Sequence, residues 1–373
     1  MTMHCLPEDA ERACLVGRVW IEDETPGPRV VVVREGAVWD LSLLAPTMSD
    51  LLDLDDVVAR VRACPGERLA GIDDARLLAP CDLQAIKAAG VTFADSMIER
   101  VIEERAKGDP EAAGALRAEI ADRIGAELTS VRPGTPESAR AKTALMEAGL
   151  WSQYLEVGIG PDAEIFTKAQ PMSAVGAGAH VGVHVRSEWN NPEPEVVLAC
   201  SSSGAIVGAT LGNDVNLRDV EGRSALLLSK AKDNNASCAI GPFIRLFDAD
   251  FSLDDVRSAV LELTIEGQDG FRLSGQSAMS RISRDPADLV RQALNADHQY
   301  PDGMMLFLGT LFSPTQDRDV PGRGFTHKPG DRVCISSPRL GALHNEVTHC
   351  HLAPPWQFGA RALMRSLSRR GLL

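Results

Sequence analysis

The sequence lacks a long apolar run, a secretion signal and any extended cluster of positive charge. No hydrophobic stretch reaches the ~18 residues needed to cross a bilayer. The N-terminal run MTMHCLPEDAERACLVG carries acids where a signal peptide carries bases, and no apolar core follows them. The net charge is −14, and arginines cluster only in the C-terminal SLSRRG. These absences predict a chain with no membrane and no nucleic-acid partner.

Cysteine pairs of the CxxC type are also missing, although the chain has eight cysteines. In a chain of 373 residues, scattered cysteines predict reduced thiols and a cytoplasmic location rather than a disulfide framework. His349, Cys350 and His351 are a candidate for a zinc site. In a strand, however, the two histidines would face away from the cysteine, so we expect a structural role for all three.

The pattern along the chain predicts an α+β fold with two domains. Residues 1–85 carry short β-like runs and one helical stretch, Ser49–Ala63, and we interpret them as a small N-terminal α+β domain. Residues 86–373 are predicted to form the second, larger domain, which is mostly strand beyond Gly158.

A charged, helical and lid-like segment is predicted at about residues 95–154. Ser96 and Glu99 fit a capping box at the start of its first helix, Asp109-Pro110 fits the start of a second, and PESARAKTALMEAGL reads as a third. The segment is either a solvated helical insertion, which we favour for most of it, or a lid over a site.

Two hairpins are predicted in the second domain, because turn residues separate pairs of β-like runs. The first joins Glu195–Cys200 to Ala205–Ala209, and the second joins Ala259–Ile265 to Phe271–Leu273. Further strands are predicted at Val333–Ser336 and Ala342–His349, and helices at Asp285–Ala296 and Gly359–Arg369.

The stretch WNNPEPEVVL places two glutamates, Glu193 and Glu195, one residue apart at the start of an apolar run. Side chains two residues apart in an extended chain point the same way, and the flanking prolines favour an extended backbone. Adjacent carboxylates repel each other unless a cation or a shared proton relieves them, and Mg²⁺ prefers such oxygen ligands. Two exposed acids at a strand edge would show the same spacing, so the pair alone does not decide.

A second acidic stretch, LGNDVNLRD, follows the first predicted hairpin. Asp214 comes after a glycine at the end of a strand and is a candidate third oxygen ligand. Alternatively, it caps a helix that contains Arg218, which could bind an anionic substrate. Lys232, in SKAKDNNASCAIGPF, could steer or protonate a substrate beside these carboxylates, or it could lie at the surface.

These motifs and their order, together with LFLGTLFSP, resemble the fumarylacetoacetate hydrolase family over roughly residues 90–373. The resemblance implies a β-rich catalytic domain over residues 86–373, a mixed β-sandwich roll, and a homo-oligomer, either a dimer or a tetramer. It also implies a divalent cation, Mg²⁺ or Mn²⁺, with Glu193, Glu195 and Asp214 as its ligands.

Other residues receive roles from the same resemblance. Lys232 matches the active-site lysine of the family. Contacts to the substrate are expected from Phe166 and Lys168 of DAEIFTKAQP, from Arg218, and from Gly309 and Thr310. Ser277, in GQSAMSRIS, is a separate candidate that either binds a substrate hydroxyl or sits in a turn ahead of a helix.

Histidine is absent from GVTFADSMIERVIEERAKGDP, where hydrolases of this family place the base that activates water. The sequence resembles instead the branch of the family that dehydrates 2-keto-3-deoxy sugar acids. The expected partner is then a small 2-keto acid of the 2-keto-3-deoxy-D-xylonate or D-arabinonate type, and the expected product is α-ketoglutaric semialdehyde. Two alternatives are a hydrolase that cleaves a C–C bond of an acylpyruvate or fumarylpyruvate, and a non-catalytic metabolite-binding protein.

The expected dehydration suits these residues. A 2-keto acid chelates a divalent cation, which as a Lewis acid stabilises the enolate formed when a C3 proton leaves. An acid and a base are then needed near C3 and C4. Lys232 is one candidate, provided that its neighbours lower its pKa. Glu103 or Glu104 on the predicted lid helix is the other, although exposure to solvent is the simpler expectation for both.

Overall fold

The computed structural model describes residues 5–373 apart from 72, 74, 75, 117–130, 148 and 150. The second predicted lid helix therefore lies partly outside the described residues, although residues 110–116 are helical. Within the described part of the chain, no helix has both the length and the apolar character needed to cross a membrane.

β-Strands dominate the described chain, as the sequence predicts. In chain order they are β1 Leu15–Ile21, β2 Gly27–Arg34, β3 Ala37–Asp40, β4 Glu67–Leu69, β5 Leu77–Leu78, β6 Ala85–Gly90, β7 Glu164–Ala169, β8 His180–Val183, β9 Asn190–Asn191, β10 Pro194–Cys200, β11 Ile206–Asp214, β12 Asn216–Leu217, β13 Cys238–Leu246, β14 Val260–Glu266, β15 Arg272–Ala278, β16 Met304–Phe307, β17 Arg332–Ser337 and β18 Gly341–His349. The predicted hairpins are confirmed as β10–β11 and β14–β15.

One large mixed sheet organises most of these strands. Among the described residues it has eleven strands, in the order β4-β3-β2-β1-β13-β11-β10-β16-β6-β7, with β5 paired to β1. β10 and β13 are buried along their whole length, because both faces of the sheet are covered there, and this explains their continuous apolar sequences. A second sheet, β15-β14-β17-β18-β8, alternates buried and exposed residues, because one face packs on the core.

The strands of the predicted N-terminal domain belong to the same large sheet as the catalytic strands. β1 pairs with β13, where Leu15 and Val16 lie opposite Arg245 and Ile244. The first 85 residues therefore extend the catalytic sheet through backbone hydrogen bonds. A domain boundary at residues 85–86 stays a prediction.

The helices differ in part from the sequence expectations. In chain order they are α1 Met48–Leu52, α2 Val57–Ala63, α3 Ala94–Arg105, α4 Pro136–Glu147, α5 Gln153–Ile159, α6 Arg218–Glu221, α7 Leu228–Lys232, α8 Leu253–Arg257, α9 Pro286–Ala293 and α10 Ala360–Arg369. One continuous helix over Ser49–Ala63 is wrong, because Asp56 adopts the left-handed region with φ of 51° and separates α1 from α2.

α3, the first helix of the predicted lid, is buried rather than solvated. Its N-cap is Phe93, and the Ser96 hydroxyl donates to the Phe93 carbonyl at 2.9 Å, so the predicted capping box is wrong. Met97 and Val101 are fully buried in a cluster that also contains Trp189. The interpretation of a solvated insertion is therefore wrong for α3.

The central strand β10 provides a test of this architecture. Leu198 is fully buried on β10, whereas Leu43 is 94% exposed. We expect Leu198→Ala to lower the free energy of unfolding by about 2–5 kcal/mol, because a cavity remains in the core. The matched change Leu43→Ala should stay within about 0.5 kcal/mol of the parent. Urea denaturation followed by circular dichroism measures both, and equal losses would contradict the placement of β10.

Candidate active site

Three carboxylates meet at the place where β10 begins and β11 ends. Glu193 precedes β10, Glu195 lies on it, and Asp214 ends β11. The Asp214 N–H donates to the Glu193 carbonyl at 3.0 Å, which places these two residues opposite each other. One oxygen from each of the three side chains lies within 4.8 Å of the others, and all three residues are buried. The predicted ligand set is therefore assembled in space.

The carboxylate cluster, defined as Glu193, Glu195 and Asp214, fits a hard divalent cation. Its donors are carboxylate oxygens, which Mg²⁺ prefers, and burial removes the water that would otherwise screen their repulsion. The alternative of exposed acids at a strand edge is wrong, because each side chain is at most 2% exposed. Asp214 does not cap a helix either, because the N-cap of α6 is Leu217.

Two lysines neutralise part of this cluster. The Lys232 ammonium donates to Glu193 Oε2 at 2.5 Å and to Asp214 Oδ2 at 3.2 Å. The Lys168 ammonium lies 2.9 Å from Asp214 Oδ1. The ring of Phe166 lies 5.7 Å from Lys232 Nζ. Phe166, Lys168 and Lys232 therefore lie around the cluster, and the surface location considered for Lys232 is wrong.

Lys232 is held in its charged form. Burial alone would lower the pKa of the Lys232 ammonium, but the carboxylates of Asp214, Glu193 and Glu221 outweigh it and raise that pKa. Without a bound cation, the neighbours of Lys232 therefore raise its pKa and do not lower it, and its role as an acid or base stays a prediction. Burial, and then the carboxylates of Asp214 and Glu193, also raise the pKa of the Glu195 carboxyl well above its ordinary value, which disfavours its charged form.

The lid glutamates have different environments. Glu103 is 1% exposed and accepts hydrogen bonds from Arg100 at 2.6 Å and from Arg218 at 2.7 Å. Glu104 accepts from the Ser152 hydroxyl and the Gln153 amide instead, which joins α3 to the start of α5. Neither is simply solvated. Only Glu103 belongs to the ionic network around the carboxylate cluster.

Arg100 on α3 is a site residue that the sequence reasoning missed. Its guanidinium donates to Glu193 Oε1 at 2.6 Å and also contacts Glu221 Oε2 at 2.8 Å. Burial opposes its charge, but Glu103, Glu221 and Glu193 raise the pKa of Arg100. The only sequence signal is the spacing of Arg100 and Glu103, three residues apart on a helix.

Arg218 is engaged by the protein itself. Its Nε donates to Glu103 at 2.7 Å and its Nη2 donates to Glu99 at 2.6 Å. Its Nη1 donates to the Pro314 carbonyl at 3.4 Å, and the guanidinium carbon lies 4.2 Å from the centre of the Trp189 ring. Arg218 therefore ties α3 to the start of α6 and to Trp189. Its predicted contact with a substrate stays a prediction.

Gly309, Thr310 and Ser277, the remaining predicted substrate contacts, differ in their relation to the carboxylate cluster. The Gly309 N–H donates to Glu195 Oε2 at 2.7 Å, so this backbone group orients a member of the cluster. The Thr310 hydroxyl donates to the Phe312 carbonyl at 2.9 Å. Ser277 lies within strand β15, at the edge of the second sheet, and not in a turn. Contacts of all three with a substrate stay predictions.

Glu164 is a second site residue that the sequence reasoning missed. It lies on β7 two residues before Phe166, so these two side chains project from one face of the strand, and the register with β6 shifts at Lys168. Burial, and then the carboxylate of Glu221, raise the pKa of Glu164 to about 7. The alternation in EIFTK could have placed Glu164 beside the two predicted residues.

The family of the chain follows from its match to a family model. Residues 150–348 match the model described as fumarylacetoacetate (FAA) hydrolase C-terminal. This match covers more than half of the chain, and the chain therefore belongs to the fumarylacetoacetate hydrolase family.

Two relatives carry more specific names. Over 202 residues the chain is 31% identical to a probable 2-keto-3-deoxyxylonate dehydratase of Haloferax volcanii, with 54% of this chain and 66% of that protein covered. Over 187 residues it is 35% identical to a 2-dehydro-3-deoxy-D-arabinonate dehydratase of Saccharolobus solfataricus, with 49% of this chain and 58% of that protein covered. The chain thus spans less than two thirds of the length of each relative.

Solved structures support the fold. A 2-keto-3-deoxy-D-arabinonate dehydratase complexed with magnesium and 2,5-dioxopentanoate is 22% identical with a TM-score of 0.61, and 90% of this chain and 99% of that chain are covered. A fumarylacetoacetate hydrolase from Exiguobacterium antarcticum is 17% identical with a TM-score of 0.56, and 90% and 100% are covered. The predicted fumarylacetoacetate-hydrolase-like α+β fold is confirmed.

Gly309 tests how the backbone orients the carboxylate cluster. It has φ of 99°, and an added Cβ would lie 2.0 Å from Thr92 Oγ1. We expect Gly309→Ala to lower the free energy of unfolding by about 2–4 kcal/mol, through backbone strain and overpacking together. It should also weaken binding of Mg²⁺, because the hydrogen bond to Glu195 is displaced. Urea denaturation and calorimetric titration measure the two effects.

Gly270 provides the matched control. It also has positive φ, 83°, but nothing lies within 4 Å of an added Cβ. Gly270→Ala should cost only about 1–2 kcal/mol and leave binding of Mg²⁺ unchanged. If the two variants behaved alike, the proposed role of Gly309 beside Glu195 would be wrong.

Proposed function

We propose that this chain is a metal-dependent dehydratase, a hydro-lyase, that converts a 2-keto-3-deoxy pentonate of the D-xylonate or D-arabinonate type into α-ketoglutaric semialdehyde. The buried carboxylate cluster, with Lys232 against it, carries the proposal. The names of the two relatives support the substrate class. Such a reaction belongs to non-phosphorylative breakdown of pentoses.

The carboxylate cluster would hold the cation, which we propose to be Mg²⁺, with Mn²⁺ as the other candidate. A structural relative was solved with magnesium and 2,5-dioxopentanoate, the proposed product, which supports this choice. When bound, a divalent cation supplies Lewis acidity to the oxygens of the 2-keto acid and so favours loss of a C3 proton. Lys168 and the Gly309 N–H keep Asp214 and Glu195 directed inward.

Glu164 is the residue that we propose moves the proton. Its pKa of about 7 leaves it able both to accept and to donate a proton near neutral pH. In the reaction the C3 proton is removed, the C4 hydroxyl leaves as water once it is protonated, and tautomerisation gives the semialdehyde. Lys232 stays charged and stabilises negative charge beside the reacting carbons. Glu103 and Glu104 are less suited, because each is already engaged by neighbouring side chains.

A cytoplasmic homo-oligomer is the setting that we propose for this activity. All eight cysteines are free thiols, which supports a reducing compartment. Leu226 is 93% exposed and Val185 55% exposed, and a second copy of the chain would cover such apolar side chains. Whether the assembly is a dimer or a tetramer is measured by sedimentation.

A product assay tests the proposed reaction. With 2-keto-3-deoxy-D-xylonate or its D-arabinonate epimer we expect α-ketoglutaric semialdehyde by NMR with Mg²⁺, and none with EDTA. Glu193→Gln should abolish both turnover and cation binding, because it removes a charged ligand. Pyruvate and glycolaldehyde would instead reveal C–C cleavage. Turnover of an acylpyruvate alone would favour the hydrolase.

Glu164 is tested by its neutral isostere. We expect Glu164→Gln to lower kcat by about 10²–10⁴, because the proton carrier is lost, without weakening binding of Mg²⁺. Glu262 is an exposed strand residue on β14, and Glu262→Gln serves as the control with unchanged kcat. If kcat of Glu164→Gln matched the parent enzyme, another group would move the proton.

A further inference from the structure

Two buried asparagines near the carboxylate cluster have side-chain atoms without hydrogen-bond partners among the described residues. Asn191 and Asn216 are both fully buried. Neither the amide oxygen nor the amide nitrogen of Asn216 has a hydrogen-bond partner among the described residues, and the same holds for Asn191 Oδ1. The Asn191 nitrogen donates to the Pro192 carbonyl at 2.8 Å. Because buried amides are normally hydrogen-bonded, this pair requires a polar occupant that the chain does not supply.

The backbone register places both asparagines on the same face as the cluster. Asn191 lies directly opposite Asn216 in the β9–β12 pair, and Pro194 lies opposite Asn213 in the β10–β11 pair. The two ladders share one continuous register, so Asn191 lies two residues from Glu193, and Asn216 two from Asp214. At ~3.4 Å per residue the asparagine pair is ~7 Å along the ladder from the cluster. Side chains two residues apart project from the same face.

Neighbouring residues agree with this orientation. Val215 and Leu217 alternate with Asn216 and lie in the main hydrophobic core, on the opposite face. Beyond the asparagine pair come Trp189 and Arg218, whose guanidinium carbon is 4.2 Å from the ring centre. Along the ladder the pair therefore lies between the carboxylate cluster and Arg218, and Arg100 and Glu103 of α3 bridge the same two ends.

The unpaired side-chain atoms of Asn191 and Asn216 indicate which kind of chemical group could bind between them. Two amide oxygens can accept and one amide nitrogen can donate, so the occupant should both donate and accept. A hydroxyl does both. A carboxylate or phosphate would meet two bare carbonyl oxygens, and an ammonium ion would meet the amide donor and the nearby Arg218.

We propose that Asn191 and Asn216 form a subsite for the terminal C5 hydroxyl of the sugar acid. This inference rests on the proposed function, because the 2-keto acid end must lie at the carboxylate cluster for its far end to reach the asparagines. The C4 hydroxyl leaves in the reaction, whereas C5 keeps its oxygen, as the hydroxyl of the substrate and the aldehyde oxygen of the product. The pair would then select hydroxylated pentonates over simple 2-keto acids.

Binding of two unreactive ligands tests the subsite without turnover. 5-Hydroxy-2-oxopentanoate and 2-oxopentanoate differ only in the terminal hydroxyl, and neither has a C4 hydroxyl to eliminate. With saturating Mg²⁺ we expect calorimetry to show about tenfold tighter binding of the hydroxylated ligand, which corresponds to one or two hydrogen bonds. In Asn216→Leu, which is similar in size, the preference should disappear.

Two further variants complete the test. Asn190→Leu is the matched control, because Asn190 precedes Asn191 and faces the other side, where its side-chain oxygen accepts from the His327 N–H. It should retain the tenfold preference. Asn191→Ala should reduce the preference for the hydroxylated ligand. If circular dichroism shows that Asn216→Leu does not fold, Asn191→Ala replaces it as the test variant.

The outcomes separate this inference from the proposed reaction. Equal affinity of the parent protein for both ligands overturns the subsite even if dehydration is observed, and ordered water then occupies the pair. No binding of either ligand overturns it as well. A hydroxyl preference that depends on Asn216, without any dehydration of the pentonates, supports the subsite while the proposed reaction fails.

Discussion

The mutual repulsion of three buried carboxylates is the constraint on which this structure depends. Glu193, Glu195 and Asp214 converge within 4.8 Å in a site that excludes water. At such distances and low effective dielectric, uncompensated like charges would cost several kcal/mol. The chain meets this constraint with cations: Lys232 and Lys168 contact the cluster directly, and a bound divalent ion would add to them.

Charge compensation also couples parts of the fold that are distant in sequence. Lys168 comes from β7, Lys232 from α7 and Arg100 from α3, and each contacts the cluster. Arg100 joins the cluster to Glu103, and Arg218 joins Glu103 to the Trp189 ring. α3 is therefore held against the carboxylate cluster by the same ionic network that balances the carboxylates. A change of charge at the cluster would act directly on the contacts of α3.

Local features of the site could be predicted because they depend on a few consecutive residues. Alternation along an extended chain places Glu193 and Glu195 on one face, and turn residues between apolar runs indicate the β10–β11 hairpin. The boundaries of the helices were harder to predict from the sequence. The break at Asp56 and the start of α3 at Ala94 depend on backbone conformation and packing, which residue spacing alone does not specify.

The family resemblance, the candidate carboxylate ligands and the lysine of SKAKDNNASCAIGPF could be predicted from the sequence, because short motifs contain them. Only the tertiary structure decided which groups surround them. Arg100 and Glu193 are 93 residues apart, yet hydrogen-bonded at 2.6 Å, and Arg218 meets Glu103 across 115 residues. Strand register also places Asn191 and Asn216 on the face of the cluster, where three of their four side-chain polar atoms have no hydrogen-bond partner among the described residues. The reason is physical: strand register, burial and ion pairing arise when the sheet packs, and residue order alone does not encode those distances.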